Sequence, residues 1–148
     1  MSREIIAILR GVTPTEAVEV AFTLLDEGID RIEVPLNSPE PFQSIEKMID
    51  AVGDRAKIGA GTVLDVPSVE KLADLQAHMV VSPDTNASVI VATKQLNMLS
   101  YPGVMTASEC FAALHAGADG LKLFPAMLLG VKGFKAIRAV LPEGTKTY

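Results

Sequence analysis

Two ionisable residues stand in segments that otherwise read as apolar strands: Glu33 within Ile32-Glu33-Val34-Pro35-Leu36 and Lys122 within Leu121-Lys122-Leu123-Phe124. Parallel strands covered on both faces are normally apolar throughout, and burying a lone charge is costly unless it is paired or neutralised. Alternation along a strand puts Lys122 and Phe124 on one side and Leu121 and Leu123 on the other. If the leucines face covering helices, Lys122 points inward, where desolvation favours the free amine. That form adds to a carbonyl and forms a Schiff base. The same spacing also allows a structural Glu33–Lys122 ion pair, or a Lys122 that reaches the rim and stays solvated.

The other candidates sit where strands end. Arg10, Asn37, Thr62, Ser82 and Ser100 each close an apolar run. For Thr62, Ser82 and Ser100 the plain reading is strand-end hydrogen bonding, and for Arg10 a rim position. Gly59-Ala60-Gly61 lacks the third glycine of a dinucleotide fingerprint, since Leu64 stands there, and reads instead as a glycine pair that lets a ligand approach the backbone. His78 and His115 have no metal-ligand partner at a useful spacing, so no metal is expected. Cys110 has no basic neighbour and reads as structural. Met79, Met98 and Met127 read as core filler.

Short runs rich in Ile, Val and Leu predict strands at 5–9, 31–36, 57–63, 79–82, 98–101 and 121–124, with amphipathic segments between them. Thr13-Pro14-Thr15-Glu16 and Thr106-Ala107-Ser108-Glu109 have the form of capping boxes, closed by Gly28 and Gly117. Ser38-Pro39 and Asp65 with Pro67 are weaker helix starts. Strand and helix in regular alternation mean a parallel α/β fold. Because nearly every strand ends in polar or glycine-rich residues, the ends are expected to converge on one face, as in a barrel. Nothing resembles a linker, so one domain over residues 1–148 is expected.

Thirteen Lys and Arg against eighteen Asp and Glu give a net charge of −5 with no basic cluster, which argues against nucleic-acid and membrane-surface partners. One cysteine, no Trp and two Tyr leave neither a disulfide framework nor a base-stacking surface. No apolar run approaches the length of a spanning helix, and a cytoplasmic location is expected.

Four segments, Ile8-Leu9-Arg10-Gly11, Ile32 to Ser38, Ile58-Gly59-Ala60-Gly61-Thr62-Val63 and Leu121-Lys122-Leu123-Phe124-Pro125, together resemble the class I 2-keto-3-deoxy-6-phosphogluconate and 6-phosphogalactonate aldolases, in order and across essentially the whole chain. The resemblance implies a (β/α)8 TIM barrel, no cofactor, and a homotrimer. It also implies reversible cleavage of a phosphorylated keto acid to pyruvate and D-glyceraldehyde 3-phosphate. It assigns Lys122 as the Schiff-base nucleophile, Glu33 as the proton shuttle, Thr62 to the pyruvate carboxylate and Arg10 to substrate orientation. Asn37 stands where the gluconate-type enzymes usually carry Arg. Together with Arg10 it implies the galactonate type.

Six strand–helix units and the start of a seventh at Thr145-Lys146-Thr147-Tyr148 account for 148 residues, so the TIM barrel is expected to be truncated after about six βα units. Strands one and six are then expected to be unpaired edges. Other readings kept open are a gluconate-type substrate, a catalytically silent fragment that self-associates, and a phosphate-binding isomerase or epimerase. Whether 148 residues suffice for activity is left open by the sequence.

Overall fold

The computed structural model describes residues 3–148. Its elements are β1 (Ile6–Ile8), α1 (Ala17–Asp26), β2 (Arg31–Pro35), α2 (Pro41–Val52), β3 (Lys57–Gly61), α3 (Val66–Asp74), β4 (Met79–Val81), α4 (Ala87–Gln95), β5 (Leu99–Tyr101), β6 (Gly103–Val104), α5 (Ala107–His115), β7 (Lys122–Leu123) and α6 (Ala126–Arg138). All named strands pair in parallel, in the order β1-β2-β3-β4-β5 and then β6-β7. The fifth predicted strand is β5, and a short strand that the sequence did not predict, β6, follows it. Pro102 lies between the two and has no N–H to give to a ladder.

The start of a seventh strand also pairs. Leu121 N–H donates to Lys146 O, Tyr148 N–H to Leu121 O, and Leu123 N–H to Tyr148 O, each at 2.9 Å. The expectation that the sixth strand is an unpaired edge is corrected accordingly: its outer side is occupied by residues 146–148.

The two faces of the sheet are chemically distinct. Ile32 and Val34 of β2 and Ile58 and Ala60 of β3 belong to the main core, with Ile45 and Met48 of α2 and Val69 and Leu72 of α3. A second core cluster joins Leu121 to Ile90, Val104, Cys110 and Ala113. The opposite, concave face carries the alternate residues. Register aligns Ile8, Glu33, Gly59, Met79 and Leu99 in one row across five strands.

Local signals act as elementary chemistry requires, with three exceptions. Thr106 caps α5 through a complete reciprocal box with Glu109, and the Asp65 carboxylate caps α3 by accepting from Ser68 N–H at 2.8 Å. The Thr13 box forms only halfway: Glu16 accepts from the Thr13 N–H and hydroxyl, but the Thr13 hydroxyl accepts no helix N–H and α1 begins at Ala17. Ser38-Pro39 does not open α2, which starts at Pro41 after Glu40 in a left-handed conformation. Of the three methionines read as core filler, Met79 and Met98 are in the core, whereas Met127, at 88% exposed, is not. It sits on α6, a helix without a buried residue, broken at Gly130.

Candidate active site

Glu33 lies at the centre of β2 on the concave face and is 1% exposed. Space for its carboxylate comes from the neighbouring strand: a Cβ added at Gly61 would collide with the Glu33 carboxylate oxygens. The glycine pair therefore does not open the backbone to a ligand, as its spacing suggested. Gly61 accommodates Glu33, and Gly59 accommodates Met79. Two glycines on the face that Glu33 shares by register were the sequence signal for this packing.

Oε2 of Glu33 is buried without a hydrogen-bond partner among the described residues. Burial pushes this carboxyl up to about 7, against the opposing pull of the Lys122 ammonium and the Arg10 guanidinium. A carboxyl poised near neutrality can both take and give a proton.

Lys122 begins β7, in register with Gly103. Leu121 beneath it is fully buried among helix residues, so the alternation holds and Lys122 turns to the concave face. The lysine is half-buried, less enclosed than a fully desolvated interior amine, and its Nζ stands 5.3 Å from the centre of the Phe124 ring. Glu33 and Lys122 form no direct ion pair among the described residues. They instead line one cleft of about 590 Å³, otherwise largely apolar, with Ile8, Tyr101, Phe124 and Tyr148. Tyr101 and Tyr148 meet edge to face with ring centres 5.3 Å apart, and burial pushes the Tyr101 hydroxyl up to about 12. Sequence reasoning missed this pair, because it is assembled from strands 47 residues apart in a chain with few aromatics.

The strand ends form a rim. Arg10 Nη1 donates to Asn37 Oδ1 at 2.9 Å, and the N–H of Gly11 donates to the Ser38 hydroxyl at 3.0 Å. The turns after β1 and β2 are thereby tied together, with Arg10 close enough to act electrostatically on Glu33. Thr62 follows Gly61 directly and has φ +57°, an unfavourable conformation for a β-branched residue, and its hydroxyl makes no hydrogen bond among the described residues. The expected strand-end bond is absent there but present at Ser82, whose hydroxyl donates to Val63 O at 2.8 Å. Ser100 is engaged through its main chain. Arg10, Asn37 and Thr62 do not line the cleft that holds Glu33 and Lys122; they lie at the strand ends, and of the three Arg10 acts on Glu33 by charge.

The remaining candidates are placed elsewhere. His78 bonds the backbone of Ile58, His115 lies beside Phe111, and burial pushes the Cys110 thiol up, away from reactivity. Among the described residues no group of three or more His, Cys, Asp or Glu could hold a metal ion.

The sequence pattern of the family described as KDPG and KHG aldolase matches residues 1–144. The chain belongs to this family. It is 49% identical, over 96% of its length and 67% of the relative's, to the probable 2-dehydro-3-deoxy-6-phosphogalactonate aldolase of Rhizobium meliloti. A native KDPGal structure superposes with a TM-score of 0.94 at 43% identity, covering 99% of this chain and 73% of that one. The KDPG aldolase of Legionella pneumophila, captured with pyruvate as a covalent carbinolamine, superposes with a TM-score of 0.87 at 29% identity, covering 96% and 68%. The fold is therefore the parallel α/β type of the aldolase barrels, with the described strands forming an open sheet. Among the described residues no helix is long and apolar enough to cross a membrane.

Proposed function

We propose that this protein is a Schiff-base aldolase that reversibly cleaves 2-keto-3-deoxy-6-phosphogalactonate to pyruvate and D-glyceraldehyde 3-phosphate. The observation that carries the reading is the shared cleft: the Lys122 side chain and the Glu33 carboxyl, the latter poised near neutrality, face the same apolar space. The Lys122 amine adds to the C2 carbonyl, and loss of water from the resulting carbinolamine gives the protonated Schiff base. In cleavage, the Glu33 carboxylate left by dehydration takes the C4 hydroxyl proton, the C3–C4 bond breaks to release the aldehyde, and its electron pair moves into the iminium to give an enamine. Glu33 relays the protons of dehydration and returns one to C3 before hydrolysis frees pyruvate.

Thr62, whose hydroxyl is uncommitted, is assigned to the pyruvate carboxylate. Arg10 orients the substrate by charge and hydrogen bonding, and Asn37 serves the substrate side by holding the guanidinium in place. The Arg10–Asn37 pairing supports the galactonate-type reading, in which the first strand supplies the arginine. In the same reading, residues 1–148 act as one domain, no cofactor is used, the partners are pyruvate and the phosphorylated keto acid, and the chain works as a cytoplasmic homotrimer.

Borohydride reduction in the presence of pyruvate should attach the three-carbon unit to Lys122, located by peptide mass spectrometry. Lys122→Met should abolish labelling. Parallel assays with the two C4 epimers should favour the galactonate. Turnover by the folded Lys122→Met variant at the wild-type rate would refute the assignment.

A further inference from the structure

The segment that presents Lys122 is held at one point outside the cleft. Asp119, three residues before Lys122, donates its N–H to Ser100 O at 2.9 Å, and its Oδ2 accepts the Ser100 N–H at 2.8 Å. A side-chain oxygen thus supplies the second half of a reciprocal strand-like pair. The same Oδ2 accepts from Lys94 Nζ at 2.7 Å, and Nζ also donates to Met98 O at 3.2 Å. The Lys94 stem packs beside Gly117, where an added Cβ would come within 3.4 Å of Lys94 Cγ. One carboxylate therefore joins the C-terminal turn of α4, the first residues of β5 and the approach to β7.

This joint lies where the strand ladder is interrupted, between β5 and β6. The sheet is divided at Pro102, which has no N–H to give to a ladder and whose carbonyl accepts the Lys122 N–H at 2.9 Å. Lys122 pairs in parallel with β6, in register with Gly103, and the Asp119–Ser100 pair ties its segment back to β5. A shift of β7 by one residue would turn Lys122 toward the helices and bring an apolar neighbour into the cleft, because side chains alternate along a strand. Even a displacement of about 1 Å at a nucleophile is costly in rate.

We infer that Asp119 is a positioning residue for Lys122, fixing the register in which the amine faces Glu33. The inference rests on the Schiff-base reading above. Asp119→Ala removes the acceptor for Ser100 and Lys94, whereas Asp119→Asn keeps a side-chain oxygen for Ser100 and loses the charge.

The test is the rate of borohydride-dependent labelling of Lys122 by pyruvate in the purified protein, measured across pyruvate concentrations beside a thermal melt. Asp119→Ala is expected to slow labelling at saturating pyruvate by about tenfold or more, with little change in the half-saturating concentration. Asp119→Asn should stay within about threefold of wild type, since the geometry and not the charge is what counts. Wild-type labelling rates in folded Asp119→Ala would overturn the inference and leave the Schiff-base reading intact. If Asp119→Ala does not fold, Asp119→Asn decides: a folded variant slowed more than about tenfold overturns it. Absence of any label on wild-type Lys122 overturns the Schiff-base reading and this inference together.

Discussion

At the scale of single residues, the site depends on one carboxyl kept where water would normally be needed. Glu33 is buried, one of its oxygens is unpartnered, and Gly61 supplies the space it occupies. Holding the ionised form there opposes folding. The Glu33 carboxyl rests at about 7 in the folded chain against 4.5 ordinarily, so below about pH 4.5 it is protonated in both states and contributes no penalty. As pH rises through 7 the folded state must ionise a desolvated group, and the full cost approaches about 3 kcal/mol. Glu33→Gln should therefore stabilise the protein relative to wild type by roughly 1 to 3 kcal/mol at pH 8, with the advantage shrinking to nothing by about pH 4. Urea unfolding at several pH values measures it. A stability difference independent of pH would show that burial does not burden this carboxyl. The same variant should lose pyruvate proton exchange, because Gln cannot relay a proton.

At the scale of elements, helix starts differ in how much their sequence signals are worth. Thr106 and Glu109 close a reciprocal box on α5, while Thr13 and Glu16 make only half of one. Thr106→Ala should cost about 1 kcal/mol, and Thr13→Ala clearly less. Chemical denaturation of the two variants side by side measures this, and the reverse order would contradict the geometry.

The strands were legible as apolar runs, and alternation separated Lys122 and Phe124 from Leu121 and Leu123. Three features were not legible, for physical reasons. The separate short strand after Pro102 depends on which neighbour Gly103 and Val104 meet. The function of Gly61 depends on a side chain from an adjacent strand. The positive φ of Thr62 is imposed by tertiary structure on a residue type that disfavours it. Met127 misled because a flexible apolar side chain suits a core and an exposed interface equally.

At the scale of the whole molecule, the open side of the sheet is unusually apolar. Ile5, Ile8 and Phe124 are 44%, 50% and 46% exposed around the cleft, and Leu128 and Val131 on α6 are 67% and 71% exposed beside Met127. Large apolar side chains grouped in this way mark a surface that associates. Each such side chain gains on the order of 1.5 to 3 kcal/mol when fully covered, and several acting together can offset the entropy lost in association. A homotrimer of modest affinity is consistent with that balance, and its population must depend on protein concentration.

Val131 is the best position to test this proposal, because it is exposed on α6 and does not line the cleft. Val131→Asp places a carboxylate on the apolar strip of a chain that already carries a net charge of −5. Like charges brought together by association would then repel across the contact. Sedimentation velocity should show the wild type shifting toward trimer as concentration rises, with Val131→Asp remaining monomeric at the same concentrations and retaining its circular dichroism. Wild-type protein that stays monomeric, or a Val131→Asp variant that assembles as the wild type does, would remove α6 from the proposed interface. Because Val131 lies outside the cleft, borohydride labelling of Lys122 in the monomeric variant would further show whether the nucleophile needs a neighbouring subunit.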